Sequence, residues 1–360
     1  RCDLLRTLLV FTSNNAKWYR WNTVRDLPLW CVGLRQDCTR IHVVRTRSEE
    51  ILWLCLCRGE KTMFQQITKL VPYRARKFVK RVLGYGGKEF NASKEYVLLV
   101  SEKPRFQGKT AIVTGGSGAI GRAISLRLAL EGAKVFVAGR TKSKVQDVVD
   151  EIRVLGALAY PVLMDVTNPT SVEKAFQMIM NHEGTQSLDI VVNCAGGSSR
   201  DKAARLHEQS IDVIDNILST NLRGSLLCSR QAAKYMVGQD SGRIINISST
   251  VGIQGKEKFT DYAAAKAGII GYTVSLALEL GRHGITVNCV SPGYIQRGIF
   301  NEEKAEWLMR TNYLEKVGTL EEVASVVAFV ASDDAGFITG QNIIVDGGRT
   351  LGLRGDRGDR

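Results

Sequence analysis

The stretch that most constrains the fold is residues 110–122, TAIVTGGSGAIGR. An apolar run of strand length, residues 110–113, breaks into a turn holding Gly115, Gly116 and Gly118, and a helical pattern begins near Ile120 and Gly121. That is a strand, a tight turn and a helix N-terminus. Glycine passes through backbone conformations that a Cβ blocks, and the first free N–H groups of the helix, aided by its dipole, can face a pyrophosphate. Gly115, Ser117, Gly118, Ile120 and Gly121 are the candidate cradle. The competing reading is a purely structural turn, because Gly-rich turns between strand and helix are common.

Beyond the turn the chain keeps the same rhythm. A helix over 120–131 leads through Gly132 to a strand at 134–138, then a helix over 142–155, a strand near 159–164, a helix over 169–180 and a strand at 188–193. Strands alternating with helices predict an α/β fold: a doubly wound parallel sheet, the Rossmann arrangement, covered by helices on both faces. Right-handed crossovers then gather the strand C-termini on one edge, where ligands bind. At the end of the second strand an NAD site tends to carry an acid about 20 residues past the Gly-rich turn. Here Gly139 and Arg140 stand instead. A small residue followed by a cation favours a 2′-phosphate, so the expected cofactor is NADP(H), against a reading of Arg140 as a solvent-facing charge. Asp165, after the third strand, is placed to meet the adenine, or is an ordinary strand-end carboxylate.

A fifth strand, 243–247, ends in Ser248 and Ser249; Tyr262 comes thirteen residues beyond Ser249, and Lys266 four beyond that, in the helical run YAAAKAGIIGYTVSLALEL. Positions i and i+4 share a helix face, so phenol and ammonium lie side by side. A cation beside a phenol favours the phenolate and brings its proton into use near neutral pH. Without the Gly-rich strand, a surface Tyr and Lys pair is the better reading. Strand alternation turns Ser248 away from the side that Ser249 faces.

These residues resemble the short-chain dehydrogenase/reductases, over roughly 106–352. The matching motifs are TGGSGAIG, NCAG at 193–196, Asn221, the trio Ser249, Tyr262 and Lys266, SPG at 291–293 and ITGQNIIVDGG at 338–348. GRIINISS, YAAAKAG and GITVNCVSPG are most similar to the 3-oxoacyl-[acyl-carrier-protein] reductase type. The resemblance implies that Tyr262 is the general acid in reduction and the base in oxidation. Lys266 would lower its pKa and hold the nicotinamide ribose, Ser249 would bond the substrate oxygen, and Asn221 would anchor a water that relays protons through Lys266. Val166, Asn193, Ala195, Gly196, Pro292, Gly293 and Ile295 join the cofactor contacts by the same resemblance. Hydride passes directly between cofactor and substrate carbon, so no metal is expected. A homotetramer formed by pairing long helices is implied too. Three residues depart from the family pattern: Ala119 at a glycine, Cys194 at an asparagine, and Arg297 where a cofactor-contacting Thr is common.

Substrate choice is expected after SPG, in 294–317, where Ile299, Phe300, Trp307, Leu308 and Met309 mix with Arg297, Arg310 and Lys316. An acyl thioester on a phosphorylated carrier fits, as does a sugar or polyol phosphate, and a lid that merely excludes water accounts for the aromatics equally well. A reading of another class remains open: a nucleotide-sensing or anionic-partner-binding protein with vestigial chemistry.

The first hundred residues are different in character. They carry 19 Lys and Arg against 8 Asp and Glu, and so hold most of the chain's net charge of +13. Residues 1–104 are an unassigned basic N-terminal segment that matches no recognised family, and 105–360 are the expected catalytic domain. Strands are expected at 4–12, 51–57 and 96–100, a loop at 26–33, and a basic amphipathic helix at 70–83. That helix is read as a solvated face in preference to a membrane or nucleic-acid contact. No nucleic acid is expected as a partner, and no apolar run in the sequence approaches the ~20 residues of a membrane span. Arg1 stands first, and residues 1–16 lack the layout of a signal peptide. Cys194, Cys228 and Cys289 sit in apolar segments as small core residues, which suits a reducing, cytoplasmic setting. The terminal LRGDRGDR is read as a solvated end.

Overall fold

The computed structural model describes residues 104–198, 200–297 and 302–351, and before them six strands. The chain divides into two units, Arg1–Gly86 and Gly87–Arg360. In the first, β1 (Arg6–Thr12), β2 (Asn15–Trp21), β3 (Cys38–Arg45) and β4 (Ile51–Cys57) form a sheet of order β2-β1-β4-β3. The expected strands at 4–12 and 51–57 are there. The loop at 26–33, the helix at 70–83 and the RGD-bearing tail lie outside the described residues, as do Ile299 and Phe300. The second unit opens with a hairpin, β5 (Lys88–Ala92) against β6 (Tyr96–Val100).

Seven parallel strands follow: β7 (Thr110–Thr114), β8 (Lys134–Gly139), β9 (Ala159–Leu163), β10 (Ile190–Asn193), β11 (Gly242–Ile247), β12 (Ile285–Pro292) and β13 (Asn342–Val345). Their spatial order is β13-β12-β11-β10-β7-β8-β9. Every residue of β7, β10 and β12 is buried, as near-continuous apolar strands covered on both faces must be. Side chains alternate between two cores. Val113, Val135, Val192 and Ile245 pack toward α1 (Ala119–Leu130), α2 (Lys142–Val154) and α9 (Leu320–Ala331), the last after the short α8 (Glu302–Met309). Ile112, Phe136, Val191 and Ile244 pack on the other side toward α3 (Pro169–Met180), α5 (Gly224–Gln239) and α7 (Thr260–Leu280). The remaining helices are α4 (Ile211–Leu218) and the single turn α6 (Val251–Gln254).

Local chemistry sets the helix starts. Asn168 accepts from the Thr170 and Ser171 N–H groups with Pro169 at the first helical position, and Thr319 and Glu322 form a reciprocal capping box. Far from the sheet's C-terminal edge, the fully buried Glu131 accepts from both Arg105 and Arg127, so the end of α1 is tied to the segment leading into β7. α7 and the turn after it, Thr260–His283, are by length and composition apolar enough to cross a membrane, which corrects the expectation that no run approaches that length. Its buried stripe, Ala265, Ile269, Thr273, Ala277 and Leu280, instead packs into this fold, where α7 contacts β12.

Candidate active site

The strand order reverses between β7 and β10, and the loops leaving these two strands part there. Thr114 Oγ1 at the end of β7 accepts from the Cys194 and Ala195 N–H groups, 3.1 Å each, and so fixes the two loops against one another. Gly115 has φ +62°, and a Cβ there would lie 2.7 Å from the Ala195 Cα. At Gly121 a Cβ would fall 2.2 Å from the Gly115 carbonyl oxygen, so only glycine lets α1 approach its own turn this closely. α1 begins at Ala119, directly after Gly118, and its methyl sits at the first helical position, where it is tolerated.

Above this turn opens a cavity of about 1100 Å³. Gly115, Ser117, Gly118, Ile120 and Gly121 line its floor, and Arg140, Asp165, Val166, Ala195, Gly196, Asn221, Ser249, Tyr262, Lys266, Pro292 and Gly293 complete most of the expected set. The bare cradle at the start of α1 fits a pyrophosphate, and the lining runs from there to the end of β12. Two expected cofactor contacts are not on its wall. Asn193 donates to Ser229 Oγ and Asn246 Oδ1, both at 2.8 Å, and so knits β10 to α5 and β11 beneath the cleft. Ile295 is buried, with its side chain against Gly318.

At one end, Arg140 is exposed just past β8, and Asp165 Oδ1 accepts from the backbone N–H and the hydroxyl of Thr167 at 2.9 and 2.8 Å. The Thr167 N–H lowers the Asp165 pKa most; the Thr167 hydroxyl and the nearby Arg140 charge lower it further, against the cost of burial. Lys144, in the first turn of α2, shares this wall. It is absent from the set expected from sequence, although its place four residues past Arg140 is visible there.

At the other end, Lys266 is buried to 5% exposure, and its Nζ donates to the Ile247 carbonyl at 2.8 Å and lies 5.6 Å from the Tyr262 ring centre. Ser248 donates to the Lys266 carbonyl at 2.7 Å, which occupies its proton. Ser249 Oγ accepts from the Val251 N–H and has no acceptor for its own proton among the described residues, so the two hydroxyls differ in their bonding although both line the cavity. Asn221 lies in a π-helical turn, Ser219–Arg223, between α4 and α5. Its Nδ2 donates to the Gly197 and Ile217 carbonyls at 3.0 Å, while its buried Oδ1 has no partner among the described residues. Such insertions into a helix re-aim a side chain, here toward the cavity.

Cys194 is half-buried on the cavity wall, unlike the fully buried Cys228 and Cys289, and burial pushes its thiol up to about 11. Arg297 also lines the cavity, as do Tyr294 and Trp307. Lys256, Arg349 and Phe259 stand there too, and no motif in the sequence marks them. Only the fold brings 256 and 349 together.

A family model described as enoyl-(acyl carrier protein) reductase matches residues 115–350. The 3-oxoacyl-[acyl-carrier-protein] reductase FabG of Staphylococcus aureus (strain N315) is 40% identical over 245 residues, 67% of this chain and 97% of the relative. This chain belongs to the short-chain dehydrogenase/reductase family. It is an oxidoreductase and is most like the 3-oxoacyl-[acyl-carrier-protein] reductases within that family. A second relative, the (2S)-[(R)-hydroxy(phenyl)methyl]succinyl-CoA dehydrogenase subunit BbsD of Thauera aromatica, is 37% identical over 253 residues, 68% of this chain and 98% of that one. Among solved structures, a putative gluconate dehydrogenase from Agrobacterium tumefaciens superposes with a TM-score of 0.65 at 31% identity, covering 69% of this chain and 98% of the other.

Proposed function

We propose that residues 105–360 form an NADP(H)-dependent carbonyl reductase/alcohol dehydrogenase whose substrate is a 3-oxoacyl thioester. The observation that carries the reading is the convergence of Ser249, Tyr262, Lys266 and Asn221 on one cavity that also holds the glycine cradle. The nicotinamide supplies or accepts the hydride when bound. In the reducing direction Tyr262 gives its phenolic proton to the substrate oxygen, while Ser249 donates a hydrogen bond to that oxygen. Lys266, anchored by the Ile247 carbonyl, holds the ribose and lends its charge to the phenol. Asn221 Oδ1 accepts from a water that passes protons inward through Lys266.

Support for NADP(H) comes from Arg140 and Lys144 on the wall past β8, with no carboxylate at the end of that strand. Support for the thioester comes from the reductase relatives. A sugar or polyol dehydrogenase is the second reading, favoured by the gluconate dehydrogenase neighbour. Exposed apolar side chains on two long helices, Leu226 on α5 and Val274 and Leu278 on α7, suit a homotetramer built by helix pairing. The free cysteines suit a cytoplasmic setting.

The test is NADPH oxidation, followed by absorbance, with a short 3-oxoacyl thioester and beside it NADH. Rapid consumption of NADPH with slow use of NADH supports both assignments. Binding of NADPH with no turnover of the thioester moves the substrate to sugars and polyols, and failure to bind either cofactor removes the enzyme reading of this cleft.

A further inference from the structure

The cavity wall carries six cations, Arg140, Lys144, Lys256, Lys266, Arg297 and Arg349, against a single carboxylate, Asp165, among the described residues. Arg140 and Lys144 suit the cofactor phosphate and Lys266 belongs with Tyr262. Hydride transfer to a neutral carbonyl gives no use to Lys256 and Arg349, and Arg297 is a cation where the family commonly has a neutral Thr. Lys256 and Arg349 stand together with an aromatic cluster, and Arg297 lines the same cavity. Lys256 Nζ lies 3.4 Å from the Tyr294 hydroxyl and 4.4 Å from the Phe259 ring centre. The Arg349 guanidinium stacks 4.5 Å from the Tyr294 ring, and Trp307 meets that ring edge-on at 5.9 Å. Neither Lys256 nor Arg297 has a carboxylate partner among the described residues. The positive field reaches inward, since Lys266 and Arg297 both act against the burial that raises the Cys194 thiol. Cations gathered in a cleft without acids focus a potential that draws and orients anions, and aromatic faces hold the Lys256 head in place while leaving N–H donors for a ligand.

We propose that Lys256 and Arg297, with the Tyr294 hydroxyl, form an anion-recognition subsite for a carboxylate or phosphate that the substrate carries apart from its reacting carbonyl. This rests on the hydride-transfer reading of the same cleft. The subsite sets which carbonyl compounds are used, through their KM, and leaves proton transfer to Tyr262. Carboxylate and phosphate offer the same oxygens to Lys and Arg donors, and a short oxo acid and a phosphopantetheine-bearing thioester are the two sources.

Two substrate pairs separate them: acetoacetate against its methyl ester, and 3-oxobutyryl-CoA against the N-acetylcysteamine thioester of the same acyl group. The full chain is compared with the Lys256→Met/Arg297→Met double variant, which keeps the apolar stems. The expected result is a wild-type preference of tenfold or more for the charged member of one pair, expressed in KM. In the double variant the charged member loses at least tenfold more kcat/KM than its neutral counterpart, and Lys256→Glu widens that loss. The pair that responds identifies the source. A wild type without preference in either pair, or a preference that survives in the double variant, overturns the proposal. Absence of NADPH oxidation with all four compounds counts against the 3-oxo substrate reading instead. In that case calorimetry of acetoacetate and inorganic phosphate decides: binding by the wild type and not by the double variant upholds the subsite, and no binding by either overturns it.

Discussion

The two ends of the cleft are built from different materials. At the glycine-rich end the ligand would face backbone: Gly115 and Gly121 bring a turn, a helix start and the Ala195 loop within distances that no side chain permits. At the substrate end it would face side chains that arrive from separate segments, with Ser249 past β11, Tyr262 and Lys266 on α7, and Lys256, Arg297 and Arg349 in loops. A backbone-built site tolerates almost no change of shape and holds what any dinucleotide shares. A side-chain-built site can be retuned one residue at a time. On the proposed reading, the first end carries what the family shares and the second carries identity of substrate.

The largest expected effect tests whether chemistry is confined to the second end. Tyr262→Phe removes one hydroxyl and keeps the ring beside Lys266. Turnover is expected to fall about 10²–10⁴-fold, the usual worth of a positioned proton donor, while NADPH affinity measured by fluorescence titration changes only a few-fold. Equal losses in both would mean that the two ends do not work separately.

Gly121→Ala tests the backbone-built end. Its methyl would sit 2.2 Å from the Gly115 carbonyl oxygen, so the turn must move, at about 1–3 kcal/mol for overpacking. The expected outcome is a lower unfolding midpoint together with weakened binding of both NADPH and NADH. Loss of stability with cofactor binding intact would show that the turn is only structural.

Arg140→Ala tests discrimination at the same end. Loss of a charge-assisted hydrogen bond, about 1.5–3 kcal/mol, is expected to raise the NADPH KM by roughly 10–100-fold with little change for NADH. Equal effects on the two cofactors would return Arg140 to the status of a solvent-facing charge.

The same contrast explains what is legible in the sequence. The strand-turn-helix opening can be read because glycine spacing and apolar periodicity are local, and the element bounds expected for 110–193 lie within a few residues of those found. Ser249, Tyr262, Lys266 and Asn221 are legible as spaced motifs, yet the reason that Ser248 is set apart from Ser249 appears only in its bond to the Lys266 carbonyl. Asn193 belongs to the expected cofactor set because its motif runs into the cleft, but the alternation of β10 turns its amide down toward Ser229 and Asn246. Lys256 and Arg349 carry no local pattern. Their meaning comes from sharing one tyrosine across the fold.

The smallest expected effect concerns Asp165, which joins the two descriptions: a side chain held by local backbone at the backbone-built end. Its pKa is lowered below the ordinary value of 3.8, first by the Thr167 N–H, with the Thr167 hydroxyl and Arg140 adding to it. A carboxylate whose folded pKa is depressed contributes stability that is fully present above its unfolded pKa and is lost as the pH falls through its folded one. Asp165→Asn removes that contribution. Urea midpoints of wild type and variant are therefore expected to differ modestly at pH 7 and to converge below about pH 4. Adding Arg140→Ala to the wild type should shrink only part of the difference, because the Thr167 bonds remain. A difference between wild type and Asp165→Asn that stays constant from pH 7 to pH 3 would mean that the Asp165 charge is not what the loop after β9 holds.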